Sequence, residues 1–300
     1  MRIPRSTYLL TCLLAFTRLV ISAAEDAPLT PLYGKLQSDD PNYFVLAYPN
    51  DSGDLEGDES HVEFYLSVKY PFDLHGDEHW WRPNVLAIVY NGLYDFYMIP
   101  GNRYESAPII SRRQNPGAAL EWFLGKNDTL RLSYFHESNG QSIDRQDGLT
   151  AYNHEKNQGG EDYALAQISR GWDYVGLRTA HEQGERWKWM THIELRQYLH
   201  RQGFGTSTME DDIFWDPADD SKIQDYDGLR FTYEQHMPLD LSARLELKTG
   251  TSEWRTLENV GGKISLSWKV FHVFYFKGYG KEPASYHLES QYAGFGIEFR

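Results

Sequence analysis

Between His61 and Pro71 the apolar residues Val62, Phe64, Leu66, Val68 and Tyr70 occupy every second position, with Glu63, Tyr65, Ser67 and Lys69 between them. Side chains alternate sides along a strand but repeat every 3.6 residues along a helix, so this period of two predicts a strand with one apolar face. The same pattern recurs at Leu130, Leu132 and Tyr134, at Trp187, Trp189, Thr191, Ile193 and Leu195, and at Leu229, Phe231 and Tyr233. It returns at Leu241, Ala243, Leu245 and Leu247 and at Ile264, Leu266 and Trp268. Alternation of this kind predicts about a dozen strands, beginning near residues 43, 61, 84, 117, 128, 164, 186, 227, 240, 262, 270 and 289. No helix is needed to account for the chain.

The breaks between strands fall into two kinds. Met237 to Asp240 is short, whereas residues 139–162 and 200–226 are long, polar and rich in acids. Short turns on one side and long loops on the other suit an outer-membrane barrel. The positions off the apolar face carry Glu63, Lys69, Lys188, Glu194, Arg196, Arg230, Glu234, Arg244 and Glu246. That is too much charge for a dry sandwich core and is acceptable in a wet lumen. Nine Trp, 21 Tyr and 15 Phe are enough to supply aromatic girdles at the two interfaces. The expected fold is therefore all-β, a twelve-stranded antiparallel transmembrane β-barrel of the outer-membrane type over residues 43–300. A secreted soluble sandwich or lipocalin-like barrel shares the alternation with its apolar face turned inward. Strand length, strand number and aromatic load favour the membrane version.

Composition narrows the classes further. Acidic residues outnumber basic ones 43 to 29, a net charge of −14, which argues against a surface that neutralises nucleic-acid phosphates. The single cysteine, Cys12, excludes a disulfide scaffold and a cysteine-based zinc site. It lies in a stretch with the parts of a secretory signal: Arg2 and Arg5, the apolar run Tyr8 to Ile21, then Ser22, Ala23 and Ala24. Arg18 interrupts that run and leaves it too short for a spanning helix, so residues 1–24 are expected to be a removed export signal and residues 25–42 a short lead-in segment. His192, His236 and His272 are scattered over strand positions, with no helical His-x-x-x-His spacing, and no glycine-rich phosphate loop or dinucleotide fingerprint occurs.

The chemistry concentrates in Leu130 to Ser142, which reads LRLSYFHESNGQS. His136 and Ser138 lie two apart on one strand face, so an imidazole and a hydroxyl come close enough to act as base and nucleophile. Asn139 and Gly140 follow, and a glycine in a turn lets its N–H approach a developing oxyanion. Spacing alone also fits an ordinary turn that ends a strand.

Three phrases in order change that balance. His136-Glu137-Ser138-Asn139-Gly140, with Ser142 after it, closely resembles the active-site signature of the outer-membrane phospholipase A family. Ser169-Arg170-Gly171-Trp172-Asp173 resembles that family's Ser-Arg-x-Trp-Asn segment, and Glu105-Ser106-Ala107-Pro108 matches the segment ahead of both. The resemblance implies hydrolysis of phospholipid acyl esters in the bacterial outer membrane by a Ser138, His136 and Asp173 triad on the outside of the barrel, with Gly140 as one oxyanion donor. It implies Ca2+ held by the Gln141 carbonyl and the Ser169 hydroxyl, with Ser106 contributing across a homodimer contact. Asp173 stands where the family usually has Asn, and the segment between the two main motifs, with Asp144, Asp147, Glu155, Glu161 and Asp162, is longer than usual. No counterpart is found for the family's polar Gln at the protomer contact; Asn91 and Gly92 lie near the expected place. The rival readings are a non-catalytic porin or structural barrel and a soluble secreted esterase.

Overall fold

The computed structural model describes residues 33–49, 60–74, 81–97, 109–138, 157, 171–185, 187–199, 223–251, 259–281 and 286–299. The strands are β1 (Gln37–Ser38), β2 (Asn42–Pro49), β3 (His61–Asp73), β4 (Val85–Tyr97), β5 (Ile109–Phe123), β6 (Asp128–Ser138) and β7 (Gly171–Gln183). They continue with β8 (Trp189–Leu199), β9 (Leu229–Met237), β10 (Leu241–Thr249), β11 (Gly261–Trp268), β12 (Phe271–Gly278) and β13 (Ser290–Phe299). From β2 to β13 each strand pairs antiparallel with the next, and β13 pairs with β2, which closes a twelve-stranded barrel. Closure leaves no unpaired edge, the condition a sheet must meet to cross hydrocarbon. β1 is a two-residue addition alongside β3, pairing Gln37 with Lys69 and Ser38 with Val68. A 3-10 turn, Ile223–Asp225, precedes β9.

Ten of the twelve barrel strands begin within three residues of the positions that alternation marks. β5 is already in place at Ile109, eight residues ahead of its expected start at 117, and the described part of β7 begins at Gly171, with its expected start at 164 outside the described residues. The first half of β5 reads IISRRQNP, with no period of two, and Pro116 within it can donate no ladder hydrogen bond. The pairing of β5 with β6 passes from Gln114–Ser138 to Gly117–Phe135 with no pairs between.

Burial identifies the two faces. Along β12 exposure alternates strictly, with Phe271, Val273 and Tyr275 outside and His272, Phe274 and Phe276 within. On β11 the outward residues are Ile264, Leu266 and Trp268, and on β6 they are Leu132 and Tyr134. Ile88 and Ile264 are each 58 % exposed while Glu63 and Glu234 are at most 1 % exposed, the reverse of a soluble sandwich or lipocalin-like barrel. The apolar exterior is matched to lipid, and the architecture is that of a bacterial outer-membrane barrel. Tyr70, Phe72, Trp81, Trp187, Trp268, Phe271 and Phe299 cluster at the short-turn end; Tyr48, Phe96 and Tyr134 lie toward the long-loop end.

The lumen is polar and charge-paired. Arg196 meets Glu194 at 3.0 Å, Glu137 at 3.6 Å and Asp227 at 3.7 Å; Arg131 meets Asp39 at 2.8 Å; Arg244 meets Glu234 at 2.8 Å. Burial alone would raise the Asp227 carboxyl, but Arg230 and Arg196 outweigh it and hold Asp227 below the usual carboxylate range. His272 is inside, between Ser267 at 2.8 Å and Glu298 at 3.1 Å. A cavity of about 880 Å3 remains, lined by Arg178, His192, Glu194 and Lys263 among others.

Candidate active site

His136 and Asp173 face each other directly across the β6–β7 ladder, and His136 Nδ1 lies 2.8 Å from Asp173 Oδ1. A carboxylate can only accept, so the proton of this bond sits on Nδ1 and Nε2 is the nitrogen left to act as a base. The His136 side chain is 40 % exposed and that of Asp173 16 %, so both stand on the outer surface. Ser138 is two residues beyond His136 on the same face, at the last described rung of β6, paired with Gly171 on one side and Gln114 on the other. Leu132 and Tyr134 continue that face toward the middle of the barrel.

These side chains are held from behind. Phe135 and Glu137, which flank His136 in sequence, point inward. Glu137 accepts from Arg113 at 3.0 Å, and Phe135 stacks on Tyr174, the neighbour of Asp173, with ring centroids 5.5 Å apart. Asn115 Nδ2 donates to the Tyr174 hydroxyl at 2.8 Å, and the Arg196 guanidinium lies 4.4 Å above the same ring. Thus β5, β6, β7 and β8 are clamped together on the lumen side at the level of His136 and Asp173, which limits rotation of the ladder that sets their separation. A Cβ at Gly117 would come within 2.2 Å of the Phe135 ring, so that packing requires glycine there.

On the β5 side of His136 the ladder pauses at Pro116, which is exposed on the outer face. Gln114, directly across from Ser138, belongs to the same side of the sheet. Neither residue stands out in the sequence, because the part of β5 that carries them lacks alternation. Their placement follows only once β5 is known to begin at Ile109. The expected oxyanion donor Gly140 and the expected calcium ligands Ser106, Gln141 and Ser169 lie outside the described residues. Gln141 and Ser169 come three and two positions beyond Ser138 and Gly171, the last described pair of this ladder.

No protein-family model matches the sequence, and no match is found among curated proteins. Solved structures do match. An active-site mutant of outer membrane phospholipase A from Escherichia coli superposes with a TM-score of 0.62 at 19 % identity, over 93 % of this chain and 95 % of that one. A second structure of the Escherichia coli protein gives 0.62 at 18 % identity over 89 % and 98 % of the two chains. The Salmonella typhi outer membrane phospholipase, a dimer with bound calcium, gives 0.60 at 18 % identity over 92 % and 94 %. Across most of its length, the chain has the fold of outer membrane phospholipase A.

Proposed function

We propose that this barrel is a phospholipase that hydrolyses the acyl esters of glycerophospholipids at the outer surface of its own wall, at both acyl positions and on lysophospholipids. The observation that carries the reading is the 2.8 Å contact of His136 Nδ1 with Asp173 Oδ1, on the lipid-facing side of the sheet and two residues from Ser138. That contact would fix the imidazole two residues from the Ser138 hydroxyl, which is what an orienting carboxylate supplies.

Ser138 Oγ attacks the ester carbonyl while His136 Nε2 takes its proton. Asp173, bonded at Nδ1, fixes the ring plane and offsets the charge that the imidazole acquires. Gly140 N–H is the proposed oxyanion donor. His136 then returns the proton to the departing lysophospholipid oxygen, and a water, deprotonated by the same nitrogen, releases the fatty acid. The family's calcium, bound by the Gln141 carbonyl and the Ser169 hydroxyl with Ser106 from a second protomer, would add positive charge beside the oxyanion. An all-oxygen donor set is the kind that calcium takes. The likeness in fold to a calcium-bound dimer supports, for this chain, both the ion and a homodimer.

The test is acyl release from phospholipid in mixed micelles by the purified protein, with and without a calcium chelator, beside Ser138→Ala and His136→Ala. Loss of release in both variants supports the assignment. Full activity in either removes that residue from the mechanism.

A further inference from the structure

On the lumen side, away from the β6–β7 wall, β3 and β4 bring together a second group of chemistry-bearing residues. His61, Glu63 and Asp95 are all fully buried, and one ligand atom from each lies within 4.8 Å of the others. Glu63 and Asp95 are directly opposite in the ladder, and His61 is two residues from Glu63 on the same inward face. His61 Nε2 is 4.0 Å from Asp95 Oδ2.

Two carboxylates facing each other across one rung repel, and their burial in a barrel wall magnifies the cost. Glu63 is anchored from one side only. Its Oε1 accepts from the Tyr43 hydroxyl at 2.6 Å, and Lys263 Nζ in turn donates to that hydroxyl at 2.9 Å. Its Oε2 is enclosed beside His61 and Asp95 with no hydrogen-bond partner among the described residues. This is the arrangement of a metal ligand whose outer oxygen is fixed by a hydrogen-bonded partner while the other is presented to an ion.

We propose that His61, Glu63 and Asp95 form a lumenal site for a divalent transition-metal ion, for which Zn2+ is the fitting probe. One imidazole and two carboxylates make a mixed N/O set that suits zinc, and three protein ligands leave a position for water. Calcium takes six or more oxygens and is poorly served by three ligands that include an imidazole. Ligand atoms around a tetrahedral zinc are roughly 3.3 Å apart, so contraction by up to about 1.5 Å, within the reach of side-chain rotation, closes the site. The ion would cancel the two carboxylate charges and tie β3 to β4 where both strands meet the long-loop end. Glu63 and Tyr43 also line the 880 Å3 cavity, which gives the ion a route in. The site shares no residue with the proposed triad and is independent of the proposed hydrolysis.

Lys263 and Lys281 act electrostatically on Glu63 and are the competing source of neutralising charge. Titration of Zn2+ into the chelator-treated, folded protein in detergent decides between them. The expected result is one equivalent bound at about micromolar affinity or tighter, weakened about tenfold or more by Glu63→Gln and by Asp95→Asn. Tyr43→Phe, which leaves all three ligands in place, should weaken it by a smaller factor. Co2+ bound at the same stoichiometry should give a visible spectrum that is lost in His61→Gln. Absence of a stoichiometric site in the wild-type barrel, or binding unchanged in Glu63→Gln and Asp95→Asn, overturns the proposal and leaves the lysines as the counter-charge. A ligand variant that fails to fold leaves Tyr43→Phe and the cobalt spectrum of the wild-type protein to decide.

Discussion

The β6–β7 ladder carries two His–carboxylate contacts on its outer face, and they differ in their surroundings. Toward the long-loop end, His136 on β6 meets Asp173 on β7 at 2.8 Å; toward the short turns, His181 on β7 meets Asp128 on β6 at 2.6 Å. Each has a hydroxyl two residues from its histidine, Ser138 in the first and Thr179 in the second. Thr179, however, is a mid-strand residue paired with Leu130 on one side and Ile193 on the other, so the backbone N–H groups near it are committed to ladders. Ser138 is the last described residue of β6 and precedes Asn139-Gly140 in sequence, and the Gly140 N–H is the proposed oxyanion donor. His181 also packs against the Trp189 ring at 5.0 Å, and the Asp128 side chain is only 6 % exposed. On the proposed reading, an imidazole, a carboxylate and a hydroxyl in register are insufficient without a nearby N–H left free of the ladders, so the second contact is read as structural.

The largest effects should separate the two ends. Ser138→Ala and His136→Ala should each lower acyl release by at least about a thousandfold, as loss of a nucleophile or its base does. Asp173→Ala should cost less, on the order of tenfold to a hundredfold, because it removes orientation and leaves the reacting groups in place. His181→Ala and Thr179→Ala should leave release within about twofold of wild type in the same assay; a drop comparable with that of His136→Ala would erase the distinction.

Stability measurements should show the opposite order. Arg196→Ala strips three buried carboxylates of their shared partner and should cost about 3–5 kcal/mol in the unfolding equilibrium in detergent. Asp128→Asn should cost about 1–2 kcal/mol through the charge-assisted bond to His181. Ser138→Ala, with a small change at a strand end, should stay within about 0.5 kcal/mol of wild type.

The barrel was legible because one face of each strand had to satisfy lipid. Leu130 through Tyr134 alternate in exposure as they do in sequence, while Val62 through Tyr70 keep the period in sequence and follow it only loosely in burial. Alternation failed where the wall is locally irregular: Pro116 and the polar Gln114 and Asn115 break the period in β5. That is also a strand that borders Ser138. His136 and Asp173 could be named from local motifs, but their mutual contact depends on a pairing register that spans the 139–170 segment, which no local pattern encodes. His61, Glu63 and Asp95 were invisible as a group, since His61 and Glu63 read as ordinary off-face residues and Asp95 comes from the next strand. The Asp128–His181 contact was hidden for the same reason.

The most direct test of the central claim is reaction of the folded protein with a lipid-like sulfonyl fluoride, followed by peptide mapping of the adduct. The account predicts one adduct per chain, on Ser138, formed at full rate in His181→Ala and abolished in His136→Ala. An adduct on another residue, or labelling of Ser138 that is indifferent to His136, would contradict it.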